Sequence, residues 1–259
     1  MSQQKHKNNN ILLSVSIIAM NEADRIAACI GAVSAFADEV VLVDGGSTDA
    51  TPEIAEELGA HVLRTDWPGF IAQKNRALEH CRGDWILCID ADERPTAELG
   101  SELRRLAEAS PSFSAYRLRR INYWQGRPIR YGLWGRDRPV RFLRRGRGRW
   151  GGTEPHDILE IEGEVGELQA GLEHRPYEAL SDHLRTIDSY SALAAKDLFQ
   201  KGVRSRWWDY LFRPPAHLVS ALLIHSGWRD GVRGICLAWL GAAYVVLKWV
   251  RLRLRQDPG

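Results

Sequence analysis

The segment WILCIDADE, Trp85 to Glu93, constrains this chain more than any other stretch. A short apolar run reads as a buried strand, and here it ends in two aspartates, Asp90 and Asp92, one position apart. In extended backbone alternate side chains point the same way, so both carboxylates can face one spot at the strand's mouth. Two hard oxygen donors there suit Mg²⁺ or Mn²⁺, which in turn would neutralise phosphates. A strand ending in a solvated acidic turn leaves the same local pattern, since short acidic motifs recur by chance. The rest of the chain has to decide between them.

Upstream, strands and helices alternate. Apolar runs over 12–19, 39–43, 61–64 and 85–89 read as strands. Between them lie helices over 22–36, with Ile26, Ala27, Ile30 and Val33 at helical spacing, over 51–58, with Pro52 in the first turn, and over 70–80. This alternation predicts an α/β fold with a doubly wound, Rossmann-like and mainly parallel sheet flanked by helices. In such sheets ligands gather at the carboxyl ends of the strands. Asn21, Asp44 and Asp90 each lie at or just past such an end.

Further on, residues 96–109 read as an amphipathic helix and 115–150 as strands and loops rich in arginine and aromatic residues. Residues 181–201 read as helical, and 207–228 form an aromatic, apolar stretch interrupted by Pro214 and Pro215. The 13-residue apolar run 235–247 leads into the basic segment 248–255. The expected organisation is a flexible tail (1–10), an α/β domain (11–175) and a helical C-terminal region (176–259).

At 259 residues a sizeable core is easily built, and 44% hydrophobic with 26% charged residues is ordinary for a folded protein. The net charge of +2 hides an asymmetry. Residues 117–149 hold 12 arginines against the single Asp137, and 200–259 hold 10 basic residues against 3 acidic ones. Acidic stretches surround the first block. Basic blocks of this kind imply phosphate-rich or anionic-surface partners. Cys29, Cys81, Cys88 and Cys236 lack metal-ligand spacing, which fits buried thiols in a reducing compartment. The polar start MSQQKHKNNN has no signal-peptide pattern.

In VDGGSTDAT (43–51) a strand-tip carboxylate, Asp44, precedes the flexible Gly45 and Gly46. Such a carboxylate can accept hydrogen bonds from a nucleobase or ribose, while Ser47 to Asp49 suit helix capping. Gln73, Lys74 and Asn75 open a helix, where anions are favoured, although a solvated helix face fits them too.

Taken together, SIIAMNEADRI (16–26), VDGGSTDAT (43–51), QKNRAL (73–78) and DADE (90–93) resemble the family 2 glycosyltransferases, which have a GT-A fold. Segments 141–157, 174–202 and 226–249 are similar to the lipopolysaccharide core glucosyltransferase subgroup, so the resemblance spans nearly the whole chain. It implies that Asp44 hydrogen-bonds uracil and that Asp90 and Asp92 are the DxD pair holding ribose and a divalent metal on the diphosphate. Met20, Asn21 and Glu22 match the loop bordering the nucleotide, with Gly46, Lys74, Arg141 and Arg144 completing the expected substrate-binding set. Two positions depart from the family's pattern. Gly45 stands where many members carry a second aspartate, and the usual His-Glu pair is His156-Asp157, with Glu154 nearby.

The implied reaction is inverting transfer of a hexose, glucose being expected, from a UDP-sugar to a lipid-anchored inner-core oligosaccharide. The metal, Mg²⁺ or Mn²⁺, would stabilise the departing diphosphate, and a carboxylate would take the acceptor's proton. Asp157 is the first choice for that base and Glu154 the second, with His156 orienting the base or contacting metal or diphosphate. Arg141, Arg144 and Arg145 are expected to meet acceptor phosphate, because the planar guanidinium suits it. The run 235–247 falls short of the roughly 20 residues of a membrane span. With Trp239, Tyr244, Trp249 and a basic end it reads as interfacial attachment to the anionic inner face of the cell membrane, a buried core helix being the alternative. Rival readings are transfer to a polyprenyl phosphate or polysaccharide precursor, a phosphatase with a DxD nucleophile, and a non-catalytic basic membrane- or nucleic-acid-binding protein. The phosphatase site usually follows a domain's first strand, a scaffold has no use for carboxylates at two strand tips, and no RNA-binding signature accompanies the tryptophans.

Overall fold

The computed structural model describes residues 11–154 and 156–257; the N-terminal tail and Pro155 lie outside the described residues. The N-terminal half runs β1 (Leu13–Ala19), α1 (Ala23–Val33), β2 (Glu39–Asp44), α2 (Thr51–Glu57), β3 (His61–Arg64), α3 (Phe70–His80) and β4 (Trp85–Asp90). These four strands are parallel, in the order β3-β2-β1-β4. Every residue of β1 is buried, as expected of a central parallel strand covered by helices on both faces. The carboxyl ends of β1, β2 and β4 therefore open on one edge of the sheet.

After β4 come β5 (Glu93–Pro95), α4 (Ala97–Ala109, with Thr96 capping the N–H of Leu99 at 3.2 Å), β6 (Ala115–Trp124) and β7 (Arg127–Pro128). They are followed by β8 (Val140–Arg144), β9 (Gly148–Thr153), β10 (His156–Ile161) and β11 (Val165–His174). The sheet continues from β4 as β8-β6-β11-β5, with β8 antiparallel to both β4 and β6. The expectation of a mainly parallel sheet thus holds for the N-terminal half, and the rest is mixed. β8 runs against both of its neighbours, β6 and β11 are parallel, and β5 is antiparallel to β11. A core cluster of Trp85, Tyr116 and Phe142 cements the junction, Trp85 stacking on Phe142 with ring centroids 4.8 Å apart. β9 and β10 form a separate two-stranded hairpin.

The C-terminal region is helical: α5 (Leu180–Gln200), α6 (Trp207–Leu211), α7 (Arg213–Val219), a π turn over 220–224, a 3₁₀ turn over 227–230, and α8 (Val232–Gln256). The helix carrying the apolar run is 25 residues long, and by length and composition alone it could cross a membrane. One face, Gly234, Ala238, Ala242, Trp249 and Leu252, is nevertheless buried along its length, against α7 at one end and α5 at the other. Cys29, Cys81 and Cys88 are buried free thiols and Cys236 is half-buried.

Candidate active site

A cavity of about 790 Å³ opens at the carboxyl edge of β1 and β4. Its walls come from the loop after β1 (Met20, Glu22), α1 (Arg25), α3 (Phe70, Lys74), β4 and its turn (Asp90, Asp92), and the β9–β10 hairpin (Trp150, His156, Asp157). Beyond these lie β8 (Arg141), β11 (His174) and α5 (Thr186, Tyr190). The site therefore draws on both sides of residue 175, where sequence alone divides the chain.

Lys74 stands at its centre. Its ammonium Nζ lies 2.9 Å from Asp90 Oδ1 and donates to Asp157 Oδ2 at 2.8 Å, so one buried cation ties strand β4 to the hairpin. Arg141 donates from Nη2 to the other oxygen of Asp90 at 2.9 Å and to Glu93 Oε1 at 3.2 Å. Glu93 is fully buried; its Oε2 accepts the N–H of Asp90 at 3.0 Å and its Oε1 also accepts from Arg120 at 2.9 Å. Lys74 and Arg141 both lie over the Trp150 ring, 4.6 and 5.3 Å from its centre. Burial alone would raise the Asp90 carboxyl, but the charges of Lys74 and Arg141 outweigh it and hold the group far below the usual carboxylate range.

Asp92 has a different neighbour. Its Oδ2 lies 3.4 Å from His174 Nε2, and its Oδ1 is buried with no hydrogen-bond partner. The His174 tautomer follows from the bonds around it. Asn122 donates from Nδ2 to the Trp134 carbonyl at 2.7 Å, which fixes its amide so that Oδ1 accepts from His174 Nδ1 at 2.6 Å. The other ring nitrogen, Nε2, is the one that faces Asp92. An orphaned carboxylate oxygen beside an imidazole oriented through its other nitrogen is the donor set a divalent cation takes from a protein. No group of three or more ligating side chains occurs among the described residues. A hard cation held by two side chains would complete its shell with water and phosphate oxygens. Next to this pair, burial lifts the Glu22 carboxyl to about 7, with Asp92, Asp49 and Asp90 adding to the rise against the pull of Arg25.

Of the expected site residues, Met20, Glu22, Lys74, Asp90, Asp92, Arg141, His156 and Asp157 meet in this cavity. Asn21, Asp44, Gly46, Glu154 and Arg144 are not on its wall. Asn21 (φ 59°) joins two loops, accepting from the Thr48 N–H at 2.8 Å while its own N–H donates to Ser47 Oγ at 2.8 Å. Asp44 is 2% exposed and its Oδ2 accepts the N–H groups of Gly46 and Ser47, both at 3.0 Å. Gly46 holds φ 89°, a conformation that favours glycine. A Cβ on Gly45 would stand 2.2 Å from the Trp67 ring, so this tryptophan, itself on the cavity wall, explains why no second aspartate follows Asp44.

Arg144 lies away from this cavity. It pairs across from Trp85 at the opposite end of β4 from Asp90, its guanidinium 4.9 Å over that ring, and donates to the Pro111 carbonyl. Arg145 likewise donates to the Gly83 carbonyl at 3.1 Å. Glu154 caps α3, accepting the Ile71 N–H at 3.0 Å. His156 shares a 2.8 Å hydrogen bond with the Tyr244 hydroxyl, and burial followed by the nearby Lys248 pushes its imidazole down. Sequence reasoning assigned no role to Glu93, Arg120 or His174, and weighed Trp150 only as a base-stacking residue in the nucleic-acid reading. Glu93 lay inside the DADE motif, and burial alone distinguishes it; His174 carried no local signal.

Residues 14–158 match the family described as glycosyl transferase family 2. Over 255 residues the chain is 31% identical to a lipopolysaccharide core biosynthesis glycosyltransferase, LpsC, of Rhizobium meliloti strain 1021, covering 94% of this chain and 92% of that protein. Among solved structures it is similar to S. aureus TarS residues 1–349 in complex with UDP-GlcNAc (TM-score 0.52, 13% identity, 95% of this chain and 92% of that one). It is also similar to glucosyl-3-phosphoglycerate synthase from Mycobacterium tuberculosis in complex with phosphoglyceric acid (TM-score 0.50, 18% identity, 76% of this chain and 82% of that one). These two likenesses establish a shared GT-A architecture. The chain is a glycosyltransferase and belongs to family 2.

Proposed function

We propose that the protein is an inverting hexosyltransferase that moves glucose from a UDP-sugar to a lipopolysaccharide inner-core acceptor. The observation that carries this reading is the placement of Asp90, Asp92 and Asp157 around one cavity, with Lys74 bridging the first and third. Asp92 and His174 would hold Mg²⁺ or Mn²⁺, which when bound supplies charge to stabilise the diphosphate leaving group. Lys74 and Arg141 add fixed positive charge on the same wall. Asp157 takes the proton of the acceptor hydroxyl as its oxygen attacks the anomeric carbon and the bond to the diphosphate breaks, inverting that carbon. Lys74, between Asp90 and Asp157, is placed to share its charge with the donor's phosphates. The acceptor class follows LpsC, a protein of lipopolysaccharide core biosynthesis, and the nucleotide follows the UDP-GlcNAc held by TarS.

The protein would work on the cytoplasmic face of the inner membrane. Trp207, Phe212, Leu223, Ile224, Trp228 and Trp239 are exposed on α6 to α8 and the turns between them, with Trp239 61% exposed. Arg206, Arg213, Arg229 and Arg233 are interspersed with them. This supports an interfacial seat. Incubating the enzyme with a panel of nucleotide sugars, Mn²⁺ and a deacylated core oligosaccharide tests the activity. Transfer from UDP-glucose is expected; transfer from none of the panel, with or without metal, would reject it.

A further inference from the structure

The cavity wall carries two cations that the transfer chemistry does not use. Its other cationic side chains each have a buried or half-buried carboxylate partner: Arg25 with Glu22, Lys74 with Asp90 and Asp157, Arg120 with Glu93 and Asp137, Arg141 with Asp90 and Glu93. Arg117 has no ion pair or side-chain hydrogen bond among the described residues. Arg138 meets only Glu167, at 3.3 Å, with both side chains more than a third exposed. An exposed pair of that kind is worth little and is easily exchanged. The Nη1 atom that faces Glu167 is buried, and it makes no hydrogen bond with geometry good enough to count among the described residues.

Their position is built by the strand pairing. Tyr116 pairs with Phe142, but Arg117 pairs with Val140, so β8 holds one extra residue, Arg141, opposite that step. A bulge of this type re-aims side chains and is common beside active sites. Here it brings Arg117 to the same cavity as Arg141 and Asp90. The parallel strands β1 and β4, with Asp92, form the donor side, where nucleotides sit in open α/β sheets. Arg117 and the segment before β8 line the same cavity from the β6–β8 side of the sheet, beyond β4.

We infer that Arg117 and Arg138 form an anion subsite for the acceptor, which takes a sugar bearing a phosphate or carboxylate near the hydroxyl to be glycosylated. The planar guanidinium matches either oxyanion in a two-point hydrogen bond. The inference rests on the proposed transfer reaction and adds to it the charge of the acceptor.

Kinetics with a deacylated core oligosaccharide, the same oligosaccharide after phosphatase treatment, and its carboxyl-reduced form test it. Arg117→Gln and Arg138→Gln should each raise the acceptor KM about tenfold or more, with donor KM moving far less, and Arg117→Lys should recover part of the loss. Removing the recognised group should bring the wild type to the variants' KM and cost the variants little more, because the two changes delete one interaction. The phosphatase and reduction arms say which oxyanion is read. Equal KM values for wild type and variants on the intact acceptor, or equal losses in all three when the anion is removed, would overturn the subsite. A wild type that glycosylates no core oligosaccharide would instead overturn the proposed function. The subsite is then read without turnover, by titrating glucose 6-phosphate and glucose into enzyme saturated with UDP and Mn²⁺. Binding of the phosphate sugar alone, weakened about tenfold by either glutamine variant, is expected; no binding, or binding that the variants leave unchanged, counts against it.

Discussion

Asp90 and Asp92 point into the same cavity but meet different chemistry. Asp90 is saturated by Lys74 and Arg141, whereas Asp92 keeps a buried oxygen without a partner next to His174. Metal affinity should therefore depend on Asp92 more than on Asp90. Asp92→Ala is expected to abolish Mn²⁺-dependent transfer and Mn²⁺ binding by titration while the thermal melt stays close to wild type; near wild-type turnover would remove Asp92 from the site. Glu22 gives a pH prediction. Its carboxyl is raised to about 7 by burial and neighbouring acids, from an ordinary value of 4.5. A raised carboxyl favours folding below the unfolded value, and this contribution is lost as pH climbs through the folded one. In chelator-treated protein, Glu22→Gln should melt higher than wild type at pH 8, with the gap closing between about pH 7 and 4.5. A gap independent of pH would show that Glu22 is not held in its neutral form.

The β9–β10 hairpin illustrates what an element contributes. Asn75 on α3 donates to the Trp150 carbonyl and accepts the Trp150 N–H, both at 2.9 Å, Glu154 caps the first turn of α3, and Lys74 reaches Asp157. Helix and hairpin thus position Asp157 together. Asp157→Asn should lower transfer by a factor on the order of 10²–10⁴. Glu154→Gln keeps an oxygen acceptor and should remain active, whereas Glu154→Ala should lose the cap, about 1 kcal/mol of stability. An inactive Glu154→Gln beside an active Asp157→Asn would reverse the two roles. Much of this half was legible in the sequence: β3 and α3 begin and end where periodicity places them, and β1, β2 and β4 within a residue of it. What was not legible depends on distant partners. Nothing local in 115–174 says that β8 inserts between β4 and β6, or that three-residue β5 pairs with β11 and sets His174 opposite Glu93. Arg144 and Arg141 look alike in sequence; they differ because β8 sends one to the start of β4 and the other to its end.

At the scale of the whole molecule, α8 is where length and packing disagree. Its 25 residues span about 37 Å at 1.5 Å per residue, more than the roughly 30 Å hydrocarbon core. A helix with one face buried on α5 and α7 along its length cannot also be ringed by lipid, and its last turns carry Lys248, Arg251, Arg253 and Arg255. Sedimentation with anionic liposomes should therefore retain the wild type and weaken, without vanishing, at high salt. Trp228→Ser combined with Trp239→Ser, both exposed, should release the protein with its melt unchanged; no flotation of the wild type at any salt would refute attachment. The cavity itself poses the sharpest question, since the proposed base, the proposed cation site and the donor would have to act on one anomeric carbon. The decisive measurement is the anomeric configuration, by proton NMR, of the product formed from α-linked UDP-glucose and the core acceptor. A β-linked product, lost with Asp157→Asn and with chelator, is predicted. An α-linked product, or β-linked product that Asp157→Asn leaves undiminished, would contradict the assignment of base and mechanism.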